Sequence, residues 1–265
     1  MKLEFIDNGS DFDFGKVSED YAKYRDIYPK SMYEKLISFG IGKPSQKILD
    51  IGSGTAVLPI NLCHTGAQFV ASDISENQVR YGRQIAEEKG IDNIEFRVCS
   101  AEQTGFSDNS FDVVTAVQCF QYFNAEKASG EIYRILKPQG LFCKIFMDWL
   151  PLEDKIIAEM ESLVLKYNPD WNGSGFDVFR YTYPSWADKK FIIDTVHSYD
   201  TVLEFSKQAW LGRVKSCRGV GAGLSKEKTE KFIDEYSDLL EKYKEPLRLK
   251  HQIHIEIYKS RKEEE

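Results

Sequence analysis

The chain predicts an α/β fold with a parallel sheet, and two observations carry this prediction. Between residues 47 and 146, short apolar runs typical of strands alternate with segments of helical character, which is the arrangement of βαβ units. The run Phe111–Gln118 is apolar nearly throughout, as expected of a strand that is covered on both faces. Helices are therefore expected on both sides of the sheet.

The elements of this alternating part are predicted in order. Strands are predicted at Lys47–Ile51, Gln68–Ser72, Ile94–Val98, Phe111–Gln118 and Leu141–Phe146. Helices are predicted at Val57–His64, Glu76–Glu88 and Ala125–Leu136, after two N-terminal helices at Ser18–Arg25 and Lys30–Phe39. Ser75 is the expected N-cap of the helix that begins at Glu76. The segment Lys137–Gly140, with its proline and glycine, is predicted to be a turn.

The pattern changes after Trp149. A helix is predicted at Asp154–Tyr167, and the following residues, 168–186, are irregular and rich in Tyr, Trp, Gly and Pro. A short strand is expected at Thr201–Glu204. The helix Lys226–Tyr243 is strongly indicated, because its apolar residues recur at the three-and-four spacing of one buried face. The alternation over His251–Tyr258 predicts a closing strand.

The composition excludes several classes of protein. The 265 residues include 35 Lys and Arg against 42 Asp and Glu, which gives a net charge of −7, and 42% are hydrophobic. This content suffices for a sizeable core and is too apolar for a disordered chain. The acidic balance disfavours a broad nucleic-acid interface, so no nucleic-acid partner is expected. No apolar run is long enough to span a membrane, and Met1–Asp7 does not look like a signal peptide.

The cysteines and histidines do not predict a metal site. The five cysteines contain no closely spaced pair, which indicates free thiols and a reducing, cytoplasmic location. His251 and His254 are three residues apart in a predicted strand, where their side chains are expected on opposite faces.

The most informative segment is the glycine-rich turn after the first predicted strand, Ile48–Ala56. It places Asp50 two residues before Gly52 and four before Gly54. A dinucleotide fingerprint requires a small residue where Val57 stands, and the Lys-Ser/Thr ending of a phosphate-binding loop is absent. A ligand held through its diphosphate, as in a nicotinamide dehydrogenase, is therefore disfavoured.

At these residues the chain resembles the class I S-adenosylmethionine (SAM) methyltransferases, whose first motif is E/D-x-G-x-G-x-G. Ala56 replaces the third glycine of that motif. Further segments follow in family order up to residue 146, namely Asp73, Ser100–Glu102, Ser110–Val114 and Leu136–Gly140.

A closer resemblance is to small-molecule methyltransferases of the ubiquinone-biosynthesis and trans-aconitate type. Tyr21–Pro29 is similar to their Tyr-x-x-x-Arg-Pro-x-Tyr-Pro signature, with Asp26 in place of the first proline. Val117–Phe123 resembles their Ala-Gln-Ala-x-His-Trp-Phe segment, and Trp210–Ser216 is also similar.

The resemblance implies a fold and a division of the chain. The fold is a Rossmann-like, seven-stranded methyltransferase sheet, mostly parallel with an antiparallel last strand, and with a small helical and aromatic cap insertion. The implied parts are an N-terminal helical lid (1–45), a SAM-binding core (46–147), a cap that forms the acceptor pocket (148–198), a C-terminal completion of the sheet (199–260) and a tail (261–265).

The resemblance also implies roles for individual residues. SAM, with S-adenosylhomocysteine as product, is expected to bind to Tyr21, Arg25, Asp50, Gly52, Ser53, Gly54, Asp73, Ile74, Ala101, Glu102 and Gln118. Within this set Asp73 is assigned to the ribose, and Arg25 or Tyr21 to the methionine carboxylate. The pocket for a small-molecule acceptor is expected to include Phe120, Gln121, Trp186, Trp210, Arg213 and Arg218.

Gln121 and Tyr21 are the candidates for a catalytic role. Gln121 stands where the resembled family has histidine, and glutamine orients an acceptor without taking its proton. We therefore expect that no histidine base is used. The acceptor is then a carboxylate, an amine, or a hydroxyl compound served by a Tyr, Asp or Glu.

Other functions remain open at this point. A SAM-binding sensor or scaffold without turnover carries the same motifs. A protein or nucleic-acid methyltransferase is disfavoured by the acidic balance and by the absence of an Asn/Asp-Pro-Pro-Tyr/Phe motif. The sequence does not establish the acceptor or the oligomeric state.

Overall fold

The computed structural model describes residues 2–263, so Met1 and the last two residues of the predicted tail, Glu264 and Glu265, lie outside the described residues. Seven strands form one mixed sheet in the order β3-β2-β1-β4-β5-β7-β6. The sheet is mostly parallel with one antiparallel strand and is flanked by helices, which confirms the predicted fold class.

Five neighbouring strands of the sheet, β1 to β5, pair in parallel. The strands of the whole sheet are β1 (Lys47–Ile51), β2 (Gln68–Asp73), β3 (Ile94–Val98), β4 (Phe111–Val117), β5 (Leu136–Trp149), β6 (Phe191–Phe205) and β7 (Leu247–Ser260). In register, Asp50 of β1 pairs with Ala71 of β2 on one side and with Thr115 of β4 on the other. Because these five strands, in the sheet order β3-β2-β1-β4-β5, run parallel, their carboxyl ends lie at one edge of the sheet. Ligands of open α/β sheets bind at this edge.

Eight α-helices connect or flank these strands within the described residues. They are α1 (Ser18–Tyr24), α2 (Lys30–Ser38), α3 (Val57–Leu62), α4 (Glu76–Glu88), α5 (Ala125–Ile135), α6 (Lys155–Tyr167), α7 (Lys207–Lys215) and α8 (Lys226–Leu240). Ser75 caps α4 as predicted, since its side chain accepts a hydrogen bond from the backbone N–H of Gln78. Asp154 caps α6 in the same way through the N–H groups of Ile156 and Ile157.

The structure differs from the sequence predictions in three places. Residues 137–140 do not separate α5 from β5 as a turn, because they lie inside β5 at an irregularity where Gln139 adopts a φ of 60°. The strand predicted at Thr201–Glu204 is part of the fifteen-residue strand β6. Helix α7, which begins after its capping residue Ser206, was not predicted at all.

The chain divides into two compact units, and β5, β6 and β7 contribute residues to both. The first unit comprises the segment that ends at Ile27, together with Asp148–Phe179 and Tyr199–Gln252. Its core is formed by apolar residues of α6, α7 and α8. The second unit comprises Tyr28–Met147, Arg180–Ser198 and the segment that begins at Ile253. Its main core lies on the sheet and includes Leu49, Val114 and Phe142.

Among the residues that the structure describes, no helix is both long and apolar enough to cross a bilayer. Within residues 2–263, no group of three or more His, Cys, Asp and Glu side chains is placed to hold a metal ion.

Candidate functional site

The glycine-rich loop between β1 and α3 has an unusual backbone that its sequence makes possible. Gly52, Gly54 and Ala56 adopt φ values of 60°, 56° and 60°, so every second residue is left-handed. Glycine adopts this conformation without strain, which explains two of the three positions. The loop is joined to β2 by a hydrogen bond from Ser53 N to Ser72 O at 2.9 Å.

Gly52 also lies against the segment that follows β4. A Cβ atom at this position would lie 2.9 Å from Cβ and Sγ of Cys119 and from Cζ of Phe123. The thiol of Cys119 in turn donates to Ile51 O at 3.1 Å. Residue 52 must therefore be glycine for two reasons, its left-handed backbone and the lack of space for a side chain.

Asp73 holds the two loops at the carboxyl ends of β1 and β2. Its Oδ2 accepts a hydrogen bond from Gly54 N at 2.9 Å, and its Oδ1 accepts one from Ser75 N at 2.8 Å. Burial raises the pKa of the Asp73 carboxyl, and the backbone N–H groups act in the opposite direction. Each carboxylate oxygen keeps a further lone pair for a ligand hydroxyl. Ile74 beside it is 63% exposed and offers an apolar surface to a planar ligand.

Asp50 is buried beneath the loop. The hydroxyl of Thr115 donates to its Oδ1 at 2.6 Å. Burial raises the pKa of Asp50 to about 7; the Thr115 hydrogen bond lowers the pKa and the neighbouring Asp73 carboxylate raises it. The side chain therefore joins β1 to β4. Between about pH 4 and pH 7 it keeps a proton that a solvent-exposed aspartate would lose.

The segment after β3 is fixed by Glu102. Its Oε2 is hydrogen-bonded to the hydroxyl of Ser100, and its Oε1 accepts from Asn124 N at 3.0 Å, just before α5. Ala101 next to it is buried. The loop is also tied to β2, because Cys99 N donates to Asp73 O at 3.1 Å.

Gln118 connects the ends of β4 and β5. It has a left-handed backbone with φ 60°, its N–H donates to Ile145 O at 2.9 Å, and its side-chain amide donates to Met147 O. Gln121 is exposed, and its side-chain amide donates to Gln118 O at 3.1 Å. Phe120 packs on Trp186, with a distance of 5.0 Å between the ring centroids.

The second unit thus brings together the predicted cofactor residues of β1, β2, β3 and β4. These residues are Asp50, Gly52, Ser53, Gly54, Asp73, Ile74, Ala101, Glu102 and Gln118. Two residues that sequence reasoning passed over belong to the same network. Thr115 has the pattern of an ordinary strand residue, and Cys119, although it lies in the segment Val117–Phe123, stands where the resembled family has alanine, so neither was selected.

Of the other predicted site residues, Phe120, Gln121 and Trp186 also lie in the second unit, and the first unit contains Tyr21, Arg25, Trp210, Arg213 and Arg218. The Arg25 guanidinium lies over the ring of Tyr21 at 4.7 Å from its centroid, and the Arg213 guanidinium lies over Trp149 at 5.1 Å. Arg25 and Arg213 each direct an Nη1 atom at the Sγ of Cys217, at 3.7 Å and 3.1 Å. Cys217 is a further residue that sequence reasoning did not select.

Two of these residues have internal partners that give them structural roles. Trp210 is fully buried, and its Nε1–H donates to the hydroxyl of Tyr236 at 2.6 Å. Arg218 forms a largely buried ion pair with Asp7 at 2.8 Å and donates to Asn172 Oδ1 at 3.1 Å. A contact of either with an acceptor stays a prediction.

The central part of the chain is similar to known proteins. Residues 49–143 match the family model described as "Methyltransferase domain". The chain is 36% identical over 159 residues to the ubiquinone/menaquinone biosynthesis C-methyltransferase UbiE of Brucella canis, over 55% of this chain and 59% of that protein. It is 29% identical over 118 residues to the uncharacterised methyltransferase YcgJ of Bacillus subtilis, over 44% of this chain and 46% of YcgJ. The chain thus spans about half the length of these curated relatives.

Solved structures extend the likeness of fold to most of the chain. The crystal structure of YcgJ from Bacillus subtilis superposes with a TM-score of 0.57 and 18% identity, covering 89% of this chain and all of that one. A protein named MccD gives a TM-score of 0.54 at 18% identity, covering 88% of this chain and 97% of the other. At this level of identity, the comparison shows a shared fold.

Proposed function

We propose that this chain, with its class I SAM-dependent methyltransferase domain of the UbiE-like type, transfers a methyl group from SAM to a small organic acceptor. One observation carries the proposal. The Asp73 carboxylate holds the N–H groups of Gly54 and Ser75, so that the loops after β1 and β2 form one rigid edge in the second unit.

The residues at this edge fit SAM. The left-handed residues Gly52, Gly54 and Ala56 turn the backbone tightly at the carboxyl end of β1, and Gly54 has no side chain that would keep a ligand from the backbone. The hydroxyls of Ser53 and Thr55 are buried and have no hydrogen-bond partner among the described residues. A buried hydroxyl is normally hydrogen-bonded, and a polar ligand at the loop would supply the missing partners.

In this proposal each residue binds a defined part of the cofactor. Gly52, Ser53 and Gly54 hold the methionine part through backbone groups, Asp73 accepts from the ribose hydroxyls, and Ile74 covers one face of the adenine. Ala101 and Glu102 contact the adenine edge. Gln118, whose side-chain amide already donates to Met147 O, has its amide oxygen left as an acceptor for the methionine ammonium group.

When bound, SAM supplies a methyl group on a sulfonium, which an acceptor nucleophile displaces in line. The protein contributes alignment and exclusion of water to such a reaction. Gln121, exposed beside Gln118, orients an acceptor by hydrogen bonding and leaves its proton in place.

The acceptor is proposed to be a small molecule. The UbiE relatives are named for C-methylation in ubiquinone and menaquinone biosynthesis, which concerns small molecules. The net charge of −7 opposes a polyanionic acceptor such as a nucleic acid. All five cysteines are free thiols, which agrees with the proposed cytoplasmic location.

Replacing Asp73 by alanine tests the cofactor assignment. The change removes the acceptor for the ribose and also the partners of Gly54 N and Ser75 N, so we expect S-adenosylhomocysteine binding to weaken by about 1–3 kcal/mol. Isothermal calorimetry measures this change, with the exposed Asp92→Ala as a matched control in the same unit. Unchanged affinity in Asp73→Ala would contradict the assignment, and binding of NAD(H) in place of S-adenosylhomocysteine would contradict the proposed function as a whole.

Turnover is tested separately from binding. Methyl-labelled SAM is incubated with panels of carboxylic acids, amines and phenols, and transfer of label to at least one panel is expected. If S-adenosylhomocysteine binds but no panel is labelled, the chain is a SAM-binding protein without turnover on small molecules, and the proposal fails.

The pH dependence of that reaction is expected to show no histidine base. Burial lowers the pKa of both His251 and His254 to about 4, so these rings are neutral throughout the neutral range. Desolvation also lowers the pKa of His197. A pH–rate profile with a loss of activity near pH 6.5 that disappears in a single His→Ala variant would contradict this expectation.

A further inference from the structure

Helix α4 packs closely against the glycine-rich loop within the second unit. The buried residues of this helix recur at the spacing of one helix face, and they are Gln78, Val79, Gly82 and Ala86. A Cβ atom at Gly82 would lie 3.0 Å from the carbonyl carbon of Thr55, 3.1 Å from its oxygen and 3.0 Å from Cε1 of Phe96. A methyl group therefore fits at this position only if a neighbour moves by a few tenths of an ångström.

The backbone of Thr55 has little freedom to move. Its two neighbours, Gly54 and Ala56, are both left-handed. The N–H of Gly54 donates to Asp73 Oδ2 at 2.9 Å, and the N–H of Ala56 donates to Ser53 O at 2.9 Å. Thr55 itself is buried. A shift of the Thr55 carbonyl group is therefore passed on to the N–H groups on either side of it.

A second contact with α4 supports the loop at Ala56. A residue with a side chain keeps a left-handed backbone only where the surrounding structure holds it there. Ala56 is fully buried in a small apolar cluster with Ile60 and Ala71, and Ile85 of α4 packs against this cluster. The helix thus supports the loop at two consecutive residues, Thr55 and Ala56.

We infer that Gly82 is a positioning residue for the cofactor, because it sets the distance between α4 and the loop and thereby fixes the loop N–H groups that face the methionine part of SAM. Gly82 has no side chain and acts through the backbone of Thr55. This inference rests on the proposed binding of SAM. The hydroxyl of Thr55, which is buried without a hydrogen-bond partner among the described residues, depends on the same placement of the backbone.

The variant Gly82→Ala tests this inference, with Gly130→Ala as the matched control. Both glycines lie inside helices of the second unit, and nothing lies within 4 Å of a Cβ atom at Gly130. Alanine is the better helix former, so the control is expected to be at least as stable as the unmodified protein. In calorimetry, Gly82→Ala should lower the affinity for S-adenosylhomocysteine about tenfold, the equivalent of about one hydrogen bond. Gly130→Ala should leave this affinity unchanged.

Two further measurements distinguish a displaced loop from general damage. The ligand 5′-methylthioadenosine lacks the amino-acid part of S-adenosylhomocysteine, so its affinity is expected to be unchanged in Gly82→Ala. Amide hydrogen exchange followed by mass spectrometry reports on the loop without any ligand. Exchange in the peptide that contains Gly54 and Ala56 should be faster in Gly82→Ala and unchanged in Gly130→Ala.

Two other variants show which contact is responsible. In the double variant with Phe96→Leu, the contact with the Phe96 ring is relieved and that with Thr55 remains, so the affinity should stay low. Ile85→Ala removes packing from the cluster that contains Ala56. It should weaken S-adenosylhomocysteine binding and speed exchange in the loop, and it keeps the test valid if Gly82→Ala does not fold.

The outcomes separate this inference from the proposed function. Faster exchange of the loop in Gly82→Ala supports the positioning role, even if the unmodified protein does not bind S-adenosylhomocysteine and the proposed function fails. If the unmodified protein binds this ligand and Gly82→Ala matches Gly130→Ala in affinity and exchange, the inference is overturned and the proposed function stands. An equal loss of affinity for 5′-methylthioadenosine, or recovery of affinity with Phe96→Leu, also overturns it.

Discussion

Replacing Gly52 by alanine should abolish binding of S-adenosylhomocysteine, whereas replacing Gly90 by alanine should leave it unchanged. Both glycines are left-handed, with φ values of 60° and 66°. An L-residue in that conformation costs about 1–2 kcal/mol at either position. The two sites differ in space: the new Cβ at Gly52 would lie 2.9 Å from atoms of Cys119 and Phe123, while nothing lies within 4 Å at Gly90.

The contact at Gly52 cannot be relieved locally. Cys119 is held by its hydrogen bond to Ile51 O, and both neighbours follow β4 at the same edge of the sheet. The loop must therefore move away from Ser72 and Asp73, which accept hydrogen bonds from the N–H groups of Ser53 and Gly54. The backbone groups proposed to bind the cofactor are then displaced. Calorimetry with S-adenosylhomocysteine measures the effect in both variants, and thermal unfolding reports their stability. Equal affinities for Gly52→Ala and Gly90→Ala would show that the close approach at Gly52 has no part in binding.

The fold is predictable from the sequence where the local patterns are strong. The predicted bounds of β1, β3 and α4 agree with the structure, because each has an apolar run or stripe and a clear start, such as the cap Ser75. β6 was underestimated because it alternates exposed and partly buried residues along its whole length and carries polar residues such as Asp194 and Ser198. The sequence 137–140 suits a turn locally, but Leu136 already pairs with Phe111 of β4 and Leu141 pairs with Val113, so these four residues form an irregularity within β5.

The sequence predicts the residues of the candidate site only where they belong to a motif. Asp50, Gly54 and Asp73 were selected because they match the motifs of the resembled methyltransferase family, and the parallel register of β1 and β2 explains why Gly54 N lies at the Asp73 carboxylate. Arg25 and Cys217 are 192 positions apart in the sequence, and no periodicity connects them. Contacts of this kind are fixed by the packing of α1 against α7 in the first unit, which the sequence pattern does not encode.

Replacing Asp50 by asparagine should make the stability of the protein less sensitive to pH. The folded-state pKa of Asp50 is about 7, against an ordinary value of 3.8, and its main cause is complete burial. A carboxyl group whose pKa is raised by folding binds its proton more tightly in the folded state. It therefore destabilises the fold progressively as the pH rises from about 4 to about 7, and the penalty stays constant above that range.

Asparagine at position 50 cannot ionise but still accepts the hydrogen bond from Thr115, so this penalty disappears. The free energy of unfolding of Asp50→Asn, relative to the unmodified protein, should rise by about 2–3 kcal/mol between pH 5 and pH 8. Urea unfolding at a series of pH values measures this difference, with the exposed Asp92→Asn as a control for the loss of charge alone. Since Asp73 is the charged group that raises the Asp50 pKa, Asp73→Asn should reduce the effect. If the difference between Asp50→Asn and the unmodified protein were the same at pH 5 and pH 8, Asp50 would be ionised in the folded state throughout, and the bond from Thr115 would outweigh its burial.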